Sequence, residues 1–97
     1  MATLSDDEIR AALAHRPGWS RVGDSIAREY ELASFPAVIA FVDRIAVLAE
    51  TAQHHPDLDI RYRRLRVVLS THSEGGITDQ DVALAARIDA ALEAGSS

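Results

Sequence analysis

The sequence predicts an α+β fold in the order α-β-β-α-β-β-α, a four-stranded antiparallel sheet with its helices packed on one face. Three observations predict it. Capping-box signatures open helices near both ends of the chain, a long central stretch repeats apolar residues at helical spacing, and a pair of short alternating segments lies on each side of that stretch. With 97 residues the chain has the length of one domain, 1–97, built on a single core.

Ser5 begins Ser-Asp-Asp-Glu, in which its hydroxyl can accept from an early helical amide while Glu8 reaches back and Leu4 and Ile9 flank the turn. A helix from about Asp6 to His15 follows, ended by Pro17 and Gly18. Residues 19–22 and 25–32 read as a hairpin around Gly23-Asp24, with Ile26, Tyr30 and Leu32 on one face. Ser34 caps a long second helix whose apolar side is Phe35, Val38, Val42, Ile45 and Ala49. Pro56 holds His55 in extended backbone, so this helix ends near Gln53 or His54. Residues 59–62 and 65–72 read as the second strand pair, broken at Arg63-Arg64. Leu65, Val67, Leu69 and Thr71 alternate on one side, Arg66, Val68, Ser70 and His72 on the other. Residues 73–76 form a loop, and Thr78 opens the second capping box with Asp81. Val82, Leu84, Ala85, Ile88 and Leu92 line the third helix, and residues 95–97 are a frayed tail. An open sheet of this kind leaves an edge or face that a second copy can cover.

A composition of 47% hydrophobic and 26% charged residues is that of a folded globular protein. The absence of cysteine excludes disulfides, thiolate zinc sites and a cysteine nucleophile. A net charge of −5 argues against a phosphate-binding surface, so nucleic acid is not an expected partner. The acidic N-terminus has no secretory pattern and no apolar run approaches the roughly 20 residues of a membrane span, so the expected location is cytoplasmic, with no membrane partner.

Chemistry concentrates in the histidines. His15 ends the first helix, where a cation complements the helix dipole, and His54 at the end of the second can do the same. His55 is either a solvated turn residue or a side chain aimed from a stiff turn into a cleft. His72 falls outside the Leu65, Val67, Leu69 row, at the end of a strand, where it is either plainly exposed or functional. Glu50 stands one helical turn before His54 and can accept an imidazole proton; Asp81 is at least the second half of its capping box. The arginines of Arg61-Tyr-Arg-Arg-Leu-Arg66 can favour a charged ligand, or form a solvated strand pair balanced by Asp57 and Asp59. Glu50, His54, His55 and His72 also admit a zinc-ligand reading, although the histidine pair lacks the helical His-x3-His spacing.

Taken together, Glu50-x3-His54-His55-Pro56, Tyr62 six residues on, His72 ten beyond it and Asp81 nine further form a specific pattern. It resembles the pterin-4a-carbinolamine dehydratase family, whose pattern reads acidic-x3-His-His-Pro, aromatic, His, Asp; Gly18-Trp19 and the long helix are similar as well. The resemblance implies dehydration of 4a-hydroxytetrahydropterin to quinonoid dihydropterin, in tetrahydrobiopterin recycling, with no metal or redox cofactor. It implies His54, His55 and His72 as catalytic residues, with His55 the first choice for general acid and His72 or His54 for base. Glu50 and Asp81 would support them, and Gln53, His54, His55, Pro56, Leu58, Ser70, Thr71, His72 and Ser73 would contact the pterin. Family members often carry an aromatic where this chain has Leu58, and losing that stacking weakens binding by about 0.5–1.5 kcal/mol. The implied assembly is a homodimer or homotetramer. Relatives that act as dimerisation partners give the alternative of a non-catalytic pterin-binding or coactivator module.

Overall fold

The computed structural model describes residues 2–95; the expected frayed tail lies at and beyond their end. Helix α1 spans Asp6–Leu13, strands β1 and β2 span Ser20–Val22 and Ser25–Glu31, and helix α2 spans Phe35–Ala52. Strands β3 and β4 span Asp57–Arg61 and Arg64–Leu69, a single 3-10 turn covers His72–Glu74, and helix α3 runs Asp79–Gly95. The sheet order is β1-β2-β4-β3 with every neighbour antiparallel, so the expected α-β-β-α-β-β-α architecture is present.

Register decides what each face of the sheet carries. Tyr30 stands opposite Leu65, which stands opposite Ile60, and this row faces the helices. Ile26, Tyr30, Leu65, Val67 and Leu69 are buried there against Val38, Phe41 and Ile45 of α2 and Leu84, Ala85 and Ile88 of α3. Each such aliphatic or aromatic side chain contributes about 1.5–3 kcal/mol by leaving water. The ring of Tyr30 meets Phe41 edge-on at 5.1 Å and Trp19 at 6.5 Å, so aromatic packing ties the first hairpin to α2.

The opposite face is charged. Glu29, Arg66 and Asp59 form one cross-strand row, and Glu31, Arg64 and Arg61 the next. Arg63 pairs with Glu31 at 2.6 Å, Arg61 with Asp59 at 3.2 Å, and Arg64 lies between Glu29 and Glu31 at 4.0 and 3.8 Å. The arginine cluster is therefore a solvated ladder balanced largely by β2, which the strand order brings beside β4. A groove of about 520 Å³ runs through these side chains and Tyr62, at the turn end of the β3-β4 pair and away from Pro56.

Four boundary regions differ most from the sequence reading; in addition β1 begins one residue later, at Ser20, and β2 ends one earlier, at Glu31. Helix α1 stops at Leu13 rather than His15. Strand β3 begins at Asp57, two residues earlier than expected, because it pairs with β4 from Val68 onward. The β3-β4 turn is Tyr62-Arg63, with Tyr62 at φ 56°, a left-handed conformation that a non-glycine residue adopts at a cost of about 1–2 kcal/mol. Strand β4 ends at Leu69 because Thr71 bridges to Gly76 and closes the chain into the 3-10 turn. His72 is therefore the first residue of that turn, not the end of a strand.

Candidate active site

The end of α2 sorts the two adjacent histidines. Gln53 takes φ 51° and ψ 43° as the helix cap, so the chain leaves the helical path before His54. The His54 amide donates to the Ala49 carbonyl at 3.0 Å, and its side chain, 10% exposed, turns towards α3. There Nε2 lies 2.5 Å from Oδ1 of Asp81, a carboxylate with no exposure. His55, held by Pro56, turns outward and pairs through Nε2 with Glu50, both side chains exposed. The sequence spacing suggests Glu50 with His54 one turn later; the left-handed cap hands Glu50 to His55 and frees His54 for Asp81.

Asp81 does more than cap its helix. Its Oδ2 accepts the Thr78 amide at 2.9 Å and the Thr71 hydroxyl at 2.8 Å, while Thr78 Oγ1 accepts the Gln80 amide at 3.2 Å. The expected capping box is thus altered: Asp81 returns to Thr78, but the Thr78 hydroxyl serves the second helical amide. Oδ1 is left for the imidazole, so one buried carboxylate carries three donors.

The tautomer of His54 follows. A carboxylate accepts, so Nε2 carries the hydrogen and Nδ1 holds the lone pair in the neutral ring. Among the described residues Nδ1 has no hydrogen-bond partner, yet Arg44 Nε is the buried side-chain nitrogen or oxygen left unpartnered among them. His54 Nδ1 therefore reaches solvent. The buried edge of the ring is fixed, and the open edge carries the lone pair of the neutral ring.

The remaining expected site residues fall as follows. His72 is exposed at the start of the 3-10 turn, directly after Thr71, and its side chain bonds no described residue. The Ser70 hydroxyl donates to the Asp24 carbonyl at 2.7 Å, tying this loop to the first hairpin. Thr71 uses its own backbone within the loop, its amide to Gly76 and its carbonyl from Glu74 and Gly76, so it offers no free strand edge. The amides of His72 and Ser73 donate to no described residue. Leu58 is 37% exposed on β3 opposite Val67, and Pro56 is half-buried between it and His55. Gln53 is exposed at the cap. Among the described residues no three histidine or carboxylate side chains converge as a metal-ligand group.

Sequence reasoning missed two sets of contacts. One is the bonding of Thr71 and Thr78 to each other and to Asp81, although both residues were named, Thr71 for pterin contact and Thr78 as the cap; the signal was a hydroxyl continuing the inward, otherwise apolar row of β4. The other surrounds Asp89, whose carboxylate accepts from Tyr30 Oη at 2.5 Å, Arg28 at 2.7 Å, Trp19 Nε1 at 3.0 Å and Arg16 at 3.4 Å. Burial first, then the Asp89 carboxylate, push the Tyr30 phenol far above its ordinary range. Nothing in local spacing pairs residues about 60 to 70 positions apart.

Fold and site together define a class, an α-β-β-α-β-β-α protein in which a helix-to-strand turn presents a histidine held by a buried aspartate. The chain belongs to the pterin 4 alpha carbinolamine dehydratase family, whose sequence profile matches residues 2–91. A relative from Chloroflexus aurantiacus, assigned by name to pterin-4-alpha-carbinolamine dehydratase, is 56% identical over 89 residues, covering 92% of this chain and 96% of that one. One from Mycobacteroides abscessus with the same assignment is 58% identical, covering 92% and 95%. The crystal structure of a transcriptional coactivator/pterin dehydratase from Brucella melitensis superposes with a TM-score of 0.89 at 33% identity, covering 93% of this chain and 98% of that one. A pterin dehydratase-like protein described as a RuBisCO assembly factor in the alpha-carboxysome gives a TM-score of 0.67 at 25% identity, covering 80% and 93%.

Proposed function

We propose that this chain dehydrates a 4a-hydroxytetrahydropterin to the quinonoid dihydropterin by imidazole acid–base catalysis. The C4a–O bond breaks as a proton reaches the hydroxyl, which leaves as water; N5 loses its hydrogen, and its electron pair forms the C4a–N5 double bond. His54 is the base through Nδ1, and His55, exposed and next to Glu50, is the acid. His72 stands as the further pterin-contacting or proton-handling histidine. Gln53, Pro56 and Leu58 border the ring, and the unused amides of His72 and Ser73 suit its polar edge. The observation that carries this reading is the single lone pair of a histidine fixed by a buried carboxylate and open to solvent, in a chain of this family. A role in tetrahydrobiopterin recycling, a cytoplasmic setting and a symmetric homodimer or homotetramer complete it.

A second reading, an association or assembly module on the same single domain, is favoured by the names of the two structural neighbours and by Phe35, Ile39 and Val47 of α2, exposed at 53%, 37% and 66%. Stopped-flow ultraviolet absorbance of freshly generated 4a-hydroxytetrahydrobiopterin tests between them. Wild type should outpace buffer, and His54→Ala, His55→Ala and His72→Ala should each lose that acceleration. A wild-type rate equal to buffer would refute the dehydratase reading and leave the module.

A further inference from the structure

Thr71 and Thr78 occupy core positions, 5% and 0% exposed, of the kind aliphatic side chains usually fill. Their hydroxyls lie 2.8 Å apart. Each hydroxyl has one hydrogen, so the direction of the chain of bonds can be read. The Thr71 hydrogen goes to Asp81 Oδ2, because a carboxylate only accepts; Thr78 must then donate to Thr71, and it receives the Gln80 amide in turn. The path runs from the Gln80 amide through Thr78 and Thr71 to Asp81, and meets the His54 Nε2 hydrogen on the carboxylate's other oxygen.

We propose that Thr71 and Thr78 are positioning residues that fix the plane of the Asp81 carboxylate and so set the strength and aim of its bond to His54. Bonds in such a directed chain polarise one another in a dry site. The carboxylate is pinned at Oδ2 by two donors of different origin, Thr71 just past β4 and the Thr78 amide just before α3, so it cannot rotate about its own axis. Without the Thr71 hydroxyl, Oδ2 keeps only the Thr78 amide, and Oδ1 is free to swing away from the imidazole. The same device reaches the substrate side, since Thr71 directly precedes His72. This inference rests on the proposed role of His54 as base, and it predicts a measurement that does not need that role.

The experiment compares wild type with Thr71→Val, Thr71→Ala and Thr71→Ser. Proton–nitrogen NMR of the imidazoles, with His54 assigned through His54→Ala, should show a downfield, slowly exchanging Nε2 proton in wild type and Thr71→Ser. In Thr71→Val and Thr71→Ala that resonance should move upfield and broaden by exchange. Dehydration kcat should fall by about 10-fold in the same two variants and stay within roughly 2-fold in Thr71→Ser. Thr71→Ala cannot crowd the site, so it reports even if the valine variant misfolds. An unchanged Nε2 resonance in a folded Thr71→Ala overturns the proposal, whether or not kcat falls. If wild type turns over no pterin, the dehydratase reading fails alone, and the resonance still decides the positioning role.

Discussion

Helix α3 carries two carboxylates that the fold largely removes from water, and they are held by opposite kinds of partner. Asp81, with no exposure, meets two hydroxyl or amide donors and one imidazole, the side chain that can both give and take a proton. Asp89, 13% exposed, meets two guanidiniums, an indole and a phenol, and no imidazole. Asp89 can only clamp: it ties α3 to Trp19, just before β1, and to Arg28 and Tyr30 of β2. Asp81 can also pass the consequences of its charge to a group that gains and loses a proton. One helix thus separates holding the fold together from poising the site.

The sharpest way to break this comparison is to neutralise Asp81. Asp81→Asn keeps the shape but offers an amide where the Thr78 amide and the Thr71 hydroxyl both donate, and it frees His54 to turn. The proposed dehydration should fall about a thousandfold, roughly 4 kcal/mol of transition-state stabilisation. Single-turnover kinetics against denaturant stability checks it, and activity within tenfold of wild type would end the distinction. Asp89→Ala should do the reverse. It leaves Arg28 and Arg16 facing an empty, partly buried site, 27% and 33% exposed, and costs about 3 kcal/mol of stability, reduced from the fully buried case by that exposure. The turnover of the molecules that remain folded should match wild type. Urea titration with activity per folded molecule measures both.

Alkaline pH sharpens the clamp side further. Tyr30 has an ordinary value of 10.0, raised in the folded protein first by burial and then by Asp89. Its neutral form is thus favoured by folding, so its contribution is full below pH 10.0 and declines as pH rises beyond it, because the unfolded chain loses its proton first. Above that point wild type should lose about 1.4 kcal/mol of stability per pH unit in excess of Tyr30→Phe. Parallel denaturation curves for the two proteins across the same range would show that the phenol is not locked to Asp89.

The element order was legible because it is written locally: caps at Ser5 and Ser34, apolar spacing in α2 and α3, and alternation in β4. The histidine pair and Asp81 were legible as a pattern of spacing. Their pairing was not. Which histidine takes Asp81 depends on one residue, Gln53, entering the left-handed region that sequence assigns to glycine or asparagine. Strand order likewise decides that the arginines meet Glu29 and Glu31 rather than Asp57. The loop from Thr71 to Gly76 ends β4 three residues before His72 through the bridge that Thr71 makes back to Gly76, which no alternation in residues 65–72 records.

The smallest effect compares the two histidine–carboxylate pairs themselves. Both come from one Pro-terminated turn, yet His54 and Asp81 are 10% and 0% exposed, whereas His55 and Glu50 are 66% and 76% exposed. Water competes for every bond of the second pair, and salt screens it over about 10 Å at 0.1 M. Glu50→Gln should therefore cost about 0.2–1 kcal/mol, at most roughly fivefold in kcat/KM, and the deficit should shrink as ionic strength rises. The Asp81→Asn deficit should not respond to salt, because no ions reach that carboxylate. A salt titration of kcat/KM in both variants reads the contrast directly; a Glu50→Gln loss as large and as salt-insensitive as that of Asp81→Asn would mean that His55 is enclosed in the working protein, and that its exposed pair is completed by something beyond this single chain.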